Sequence, residues 1–269
     1  MGKLDDKAGI VTGAARGIGR AHCLALATEG ADVACLDICK DQPGVRYGMS
    51  TEEDLNSLVG EIKSLGRRAI AVECDVTKAI EVEAAVKKVV DEFGKIDILV
   101  NNAGICNIVP ITEMTEAAWD TMMAVNLKGV FLCCKYVLPH MMKQESGKII
   151  NTSSVAGKIG QAYSTHYSTS KGGINTFTQA LAKEVAPYNI NVNAIGPGVV
   201  RTPLFRGCTP EFARTMGVPE EQVYSKLCEL LQALGREITP EDIAKTMIFL
   251  VSEESRNVTG MVVYVDGGY

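Results

Sequence analysis

Tyr167 and Lys171 stand four residues apart in the segment HYSTSKGG (166–173). On a helix, positions four apart share a face, so this spacing aims a phenol and an ammonium at one point. A free tyrosine, with a pKa of about 10, is a poor base at neutral pH. A neighbouring cation favours the phenolate and brings the group toward a working range. The pair is therefore suited to exchanging a proton with a substrate oxygen. A second set of residues is suited to holding phosphate. The run AGIVT (8–12) leads into TGAARGIG (12–19), with Gly13, Gly17 and Gly19 just before a helical pattern. Glycines there permit a tight turn and let the backbone approach a pyrophosphate, which the helix N-terminus then stabilises. A glycine-rich turn alone is weak evidence; the order strand, glycines, helix gives it weight. The next strand-like run ends at Asp37. A carboxylate there would hydrogen-bond ribose hydroxyls and repel a 2′-phosphate, which favours NAD over NADP. Arg16 argues the other way, because it could pair with that phosphate. Asp37 carries more weight, since it sits where the 2′ group must go.

The elements that would position these residues alternate along the chain. Strand-like apolar runs fall at 8–12, 32–37, 69–75, 96–101, 148–153, 190–195 and 261–266. Helical patterns lie between them, at Ile18–Glu29, Glu52–Leu65, Ile80–Phe93, Ala117–Lys143, Tyr163–Ala186 and Pro240–Ser252. Continuous apolar strands are buried on both faces, which implies a parallel sheet. The end-to-end alternation predicts one doubly wound α/β domain over residues 1–269, with seven parallel strands flanked by helices. Two segments break the rhythm. A polar insert, ICKDQPGVRYGMST (38–51), separates the second strand from its helix. Pro203–Thr239 follows the sixth strand and has helical patches of its own. Long segments of this kind are often lids, and both would lie outside the carboxyl ends of the strands, where open α/β sheets bind ligands.

Composition narrows the classes. The chain has 269 residues, 46% of them hydrophobic, and a net charge of -5. That balance carries no electrostatic footprint for nucleic acid. No apolar run reads as a membrane span, and MGKLDDK has no secretory h-region, so a cytoplasmic protein is expected. The nine cysteines include no C-x-x-C pair and sit mostly in apolar runs. They read as free thiols packed as small hydrophobes in a reducing compartment. Nothing has metal-ligand spacing. His22, His140 and His166 read as structural, with His166 in a surface or packing role. Trp119 reads as a core or interface anchor.

Taken together, TGAARGIG (12–19), DV (75–76), NNAG (101–104), Asn126, Ser154, YSTSK (167–171) and PGVVRT (197–202) resemble the classical short-chain dehydrogenase/reductases, in order and over nearly the whole chain. The resemblance implies that Tyr167 exchanges the proton and that Lys171 tunes it and grips the ribose. Ser154, 13 residues before Tyr167, would hold the substrate oxygen, with Ser153 as the fallback. Asn126 would interrupt a helix and hold a water in the proton relay. It further implies dinucleotide contacts from Gly13, Arg16, Gly17, Ile18, Gly19, Asp37, Asp75 and Val76. Asn102, Ala103 and Gly104 would pass beside the adenosine ribose. Pro197, Gly198, Val200 and Thr202 would surround the nicotinamide, and Thr202 could also cap the lid. A homotetramer is implied, built partly by the helices 117–143 and 163–186.

The substrate would enter above the nicotinamide, among Ile105, Cys106, Ala156, Ala162, Val199, Leu204, Phe205 and Met216, with Val155 and Ile159 nearby. This apolar lining, with no fixed Arg or Lys fork, predicts a neutral hydrophobic secondary alcohol or ketone, of cyclic alcohol, terpenol or hydroxysteroid type. The insert resembles the subgroup of carveol and mycofactocin-coupled dehydrogenases, in which it covers the adenosine end and NAD exchanges poorly. Three alternatives remain: a 3-oxoacyl-thioester reductase, a sugar dehydrogenase, and an NAD-sensing protein without turnover. The complete Ser154–Tyr167–Lys171 set argues against the last.

Overall fold

The computed structural model describes residues 2–42, 45 and 47–269. Pro43, Gly44 and Arg46 of the expected insert, and Met1, lie outside the described residues. Seven parallel strands form one sheet: β1 (Ala8–Thr12), β2 (Asp32–Asp37), β3 (Ala69–Glu73), β4 (Ile98–Asn101), β5 (Gly147–Thr152), β6 (Ile190–Pro197) and β7 (Val262–Val265). Their order is β3-β2-β1-β4-β5-β6-β7. The chain order reverses between β1 and β4, which opens a crevice at their carboxyl ends. β1, β2, β4 and β6 are buried at every position, while the edge strands β3 and β7 are partly exposed.

Helices cover both faces, giving a three-layer single domain. On one face pack α1 (Gly17–Thr28), α2 (Glu52–Ser64) and α9 (Pro240–Val251), around a core that includes Leu26, Leu58, Ile62 and Met247. On the other pack α3 (Ala79–Phe93), α5 (Gly129–Gln144) and α6 (Thr165–Val185), around Val86, Val89, Val137, Met141 and Ile174. α4 (Glu116–Met123) precedes α5. The lid segment folds as α7 (Pro203–Met216) and α8 (Glu220–Leu231). Local sequence explains the starts. Thr51 with Asp54 and Thr239 with Asp242 close reciprocal caps on α2 and α9, each hydroxyl taking the third N–H of its helix at 3.2 Å. Thr202 caps α7 by accepting the Phe205 N–H, and Pro203 follows it in the first turn.

Several boundaries differ from the sequence pattern for local reasons. β3 stops at Glu73 because the Asp75 carboxylate turns back onto the Thr77 N–H and hydroxyl, at 3.0 and 2.7 Å. α6 starts at Thr165 because Tyr163 has φ of 62°, which no right-handed helix admits. The expected helix 117–143 is two helices joined by a wide turn at Ala124–Lys128, where the hydrogen bonds reach five residues back. By length and composition the run Glu116–Gln144 would pass as a membrane span. Half of its apolar window is buried, and it packs on α3, α6, β4 and β5 as a core element.

Candidate active site

The carboxyl ends of β1, β2, β4, β5 and β6 open into one cleft. At its floor Gly13 and Gly17 have φ of 62° and 58°. A Cβ on Gly13 would lie 2.8 Å from the Ala103 Cα, so only glycine fits this close crossing of two backbones. α1 has no side-chain cap and no acidic residue in its first turn. Its first N–H groups and the positive end of its dipole are therefore available to an anion. These features fit a dinucleotide pyrophosphate. Gly13, Arg16, Gly17 and Ile18 line the cleft. Gly19 does not: a Cβ there would stand 2.0 Å from the Gly13 carbonyl oxygen, so this glycine serves the packing of α1 under the turn.

Asp37, Asp75 and Val76 line the same cleft. The Asp37 carboxylate is buried and accepts the Ala15 N–H at 2.9 Å, the Ser50 hydroxyl at 2.5 Å and the Cys39 N–H at 3.3 Å. Arg16 is engaged elsewhere. Its guanidinium donates to the Gly48 carbonyl at 2.7 Å and lies 5.9 Å from the centre of the Tyr47 ring. Asn102, Ala103, Gly104, Pro197, Gly198, Val200 and Thr202 line the cleft too, with Thr202 beside Gly17.

Ser154, Tyr167 and Lys171 meet in this cleft. Tyr167 and Lys171 share a face of α6, and the ammonium is 5.7 Å from the phenol ring centre. Ser154 stands beside the phenol, and its hydroxyl accepts the Ala156 N–H at 3.1 Å. Ser153 also lines the cleft, but its hydroxyl is already engaged, donating to Asn175 at 2.6 Å. Burial pushes the Tyr167 phenol above its ordinary range, the Cys106 thiol adds to this, and the neighbouring Ser154 hydroxyl opposes it. Lys171 is 4% exposed, donates to the Thr152 carbonyl at 2.7 Å, and is lowered by burial from 10.5 to about 8. Each group, separately, is driven toward its neutral form.

Asn126 does not line the cleft; it is fully buried one layer behind it. The wide turn carries its amide to the loop after β4. There it accepts the Ile105 N–H at 2.9 Å and donates to the Ile105 carbonyl at 3.0 Å and the Ser170 hydroxyl at 3.1 Å. It fixes the wall on which Gly104, Ile105 and Cys106 stand.

Of the expected substrate residues, Ile105, Cys106, Val199, Leu204 and Phe205 line the cleft, as does Val155. Three do not. Ala156 is buried in the short turn that Ser154 caps. Ala162 is exposed on the bend before Tyr163, and Ile159 nearby is also exposed. Met216, at the end of α7, packs with Val223 and Leu227 of α8 in a small core belonging to the lid. The sequence reading missed Tyr47, Met49 and Ser50 from the insert, Gln161, and Cys208 and Phe212 from the lid. The Phe205–Phe212 spacing, seven residues on one helical face, is a signal that could have added Phe212 to Leu204 and Phe205.

The three histidines are outside the cleft. His22 and His166 are fully buried without hydrogen-bond partners; burial lowers His22 to about 3 and shifts His166 downward. His166 therefore packs and does not meet solvent. Trp119 is partly exposed on α4 and is not in the core. All nine cysteines are free, and among the described residues no group of His, Cys, Asp and Glu could hold a metal ion.

Residues 7–211 match the short chain dehydrogenase family. The chain belongs to that family. A 3-oxoacyl-[acyl-carrier-protein] reductase FabG of Thermotoga maritima is 40% identical over 266 residues, covering 99% of this chain and 98% of that protein. The short-chain reductase protein NovJ of Streptomyces niveus is 43% identical over 259 residues, covering 96% and 92%. Among solved structures, carveol dehydrogenase from Mycobacterium avium in complex with NAD superposes with a TM-score of 0.95 at 33% identity, covering 100% of this chain and 99% of that one. The chain is thus an oxidoreductase of the family that acts on CH–OH and C=O groups, and its fold is shared with a carveol-type member.

Proposed function

We propose that this protein transfers a hydride between NAD(H) and a neutral, hydrophobic secondary alcohol or its ketone, of cyclic alcohol, terpenol or hydroxysteroid type. The observation that carries the reading is the convergence of Ser154, Tyr167 and Lys171 in the same cleft as the Gly13–Gly17 turn. The bound nicotinamide would supply or accept the hydride. Tyr167 would exchange a proton with the substrate oxygen, and Ser154 would donate to that oxygen as charge develops. The Lys171 ammonium, close to the ring face, would offset the burial that keeps the phenol protonated. Asn126 would act through the Ile105 loop.

NAD is favoured over NADP. The Asp37 carboxylate, which lines the cleft, would face the adenosine ribose, and Arg16 is already held by Gly48 and Tyr47, which leaves it poorly placed to neutralise a 2′-phosphate. The similarity to an NAD-bound carveol dehydrogenase supports the same choice. Ile105, Val155, Val199, Leu204, Phe205 and Phe212 make the substrate end apolar, which supports a hydrophobic alcohol and speaks against a sugar. A second reading, reduction of a 3-oxoacyl thioester, is favoured by the 40% identity to a protein of that name.

A homotetramer is supported by an apolar surface groove between α4, α5 and α6. Phe131 there is 46% exposed beside Leu127, Gly173, Phe177 and Ala180. Buried free thiols support a reducing, cytoplasmic setting. The deciding assay compares NAD with cyclohexanol-type alcohols against NADPH with a short 3-oxoacyl thioester, for wild type and Tyr167→Phe. Alcohol oxidation that falls by about 10²-fold or more in Tyr167→Phe is expected. Equal, negligible turnover in both proteins would mean an NAD-sensing module. Preference for the thioester with NADPH would select the second reading.

A further inference from the structure

The insert after β2 begins beside Asp37, at the end of the cleft proposed to hold the adenosine, yet its Tyr47 side chain reaches Cys106 and Gly207. Tyr47 lines the cleft, and its hydroxyl accepts the Cys106 N–H at 3.3 Å, in the loop that carries Ile105 and Cys106. Its ring lies on α7 at Gly207: a Cβ on that glycine would stand 2.3 Å from the Tyr47 Cγ. Gly207 is not in a left-handed conformation, so close approach of the ring explains the glycine at this position. The third support is Arg16, whose guanidinium faces the ring while donating to the next residue's carbonyl. Cys106 and Cys208 form one small apolar cluster with Ile108, and Tyr167 packs on that cluster. Tyr47 reaches the same cluster from the insert side, through Cys106 and the residue before Cys208.

We propose that Tyr47 is a specificity-determining residue: its ring, latched between α7 and the Cys106 loop, is the wall that limits substrate bulk opposite Tyr167. The inference rests on the hydride-transfer reading of the same cleft. The insert then does more than border the adenosine: it shapes the substrate end, and the Gly-rich turn, through Arg16, steadies that wall. A ring against a helix is a fixed boundary, because closely packed groups resist displacement. Removing it opens space that only a larger substrate can fill.

The test compares kcat/KM for cyclohexanol and 4-tert-butylcyclohexanol with NAD in wild type, Tyr47→Phe, Tyr47→Ala, Gly207→Ala and the double variant Tyr47→Ala/Gly207→Ala. Tyr47→Ala should raise the bulky-to-small ratio by at least about 10-fold, the scale on which pockets discriminate apolar groups. Tyr47→Phe keeps the ring and should keep the ratio within about 2-fold of wild type. Gly207→Ala should lower the melting temperature by displacing the ring, and this loss should vanish in the double variant. An unchanged ratio in Tyr47→Ala, or a Gly207→Ala loss that persists without the ring, would overturn the proposal. If wild type oxidised neither alcohol, the hydride-transfer reading would fall by itself. The wall would then be read from thermal protection by the two alcohols in the presence of NAD, where Tyr47→Ala must enlarge the protection given by the bulky one and refutes the wall if it does not.

Discussion

Replacing Lys171 with methionine should stabilise the dinucleotide-free protein while abolishing turnover. Lys171 is 4% exposed, its ammonium is hydrogen-bonded to the Thr152 carbonyl, and burial brings it from 10.5 to about 8. No carboxylate offsets that burial among the described residues. Because the folded pKa is the lower one, the native state holds fewer protons than the unfolded chain between pH 8 and 10.5. Stability therefore rises with pH through that window, and the full cost of the buried charge is present below pH 8. A fall of this size corresponds to about 3 kcal/mol. Methionine removes that cost but leaves the Thr152 carbonyl without its donor, a loss of about 1 kcal/mol. The net gain at pH 7 is about 2 kcal/mol, or about 4 °C in melting temperature for a domain this long. Thermal and urea unfolding of both proteins, freed of dinucleotide and held at equal concentration from pH 7 to 10.5, would read it. The advantage of Lys171→Met should shrink with pH and reverse near the top of the range. A variant that melts at or below wild type at pH 7, or a gap that ignores pH, would refute the buried-charge reasoning.

Two further substitutions follow from the same geometry. Asp37→Asn keeps an acceptor for the Ala15 N–H but removes the charge, so the kcat/KM ratio for NAD over NADP should fall by about 10-fold or more, as measured with either coenzyme at saturating alcohol. Asn126→Ala strands the buried Ile105 N–H and carbonyl, and should lower stability by about 2–4 kcal/mol and speed hydrogen exchange at the Ile105 amide.

Much of this site was legible in the sequence because its residues are tied to short-range patterns. The Tyr167–Lys171 pair needs only helical spacing, and the glycine turn needs only a strand before it and a helix after it. Asp37 was legible as a strand end. The failures came where position depends on distant packing. Phe205, Phe212 and Met216 all pack on the small core of α8, yet only the two phenylalanines also reach the cleft, and no sequence pattern separates them from Met216. Ala162 was misplaced because Tyr163 takes a left-handed backbone that sequence alone does not announce. Tyr47 was invisible for the same reason on a larger scale: its partners are Gly207 and Cys106, far along the chain. The wide turn at Asn126 came from family resemblance, since periodicity alone gave one unbroken helix.

Where β1 and β4 part, the Thr12 hydroxyl accepts the Asn102 and Ala103 N–H groups at 3.0 and 3.1 Å, and the Asn102 amide returns two hydrogen bonds to the Thr12 and Gly13 carbonyls. Four bonds across a seam of this kind make it a hinge that has been riveted shut. Incoming ligands cannot wedge the two halves of the sheet apart, so adaptation to them has to come from the insert and the α7–α8 arm. Swapping those two pieces between relatives should transplant ligand preference and leave the riveted seam as it stands.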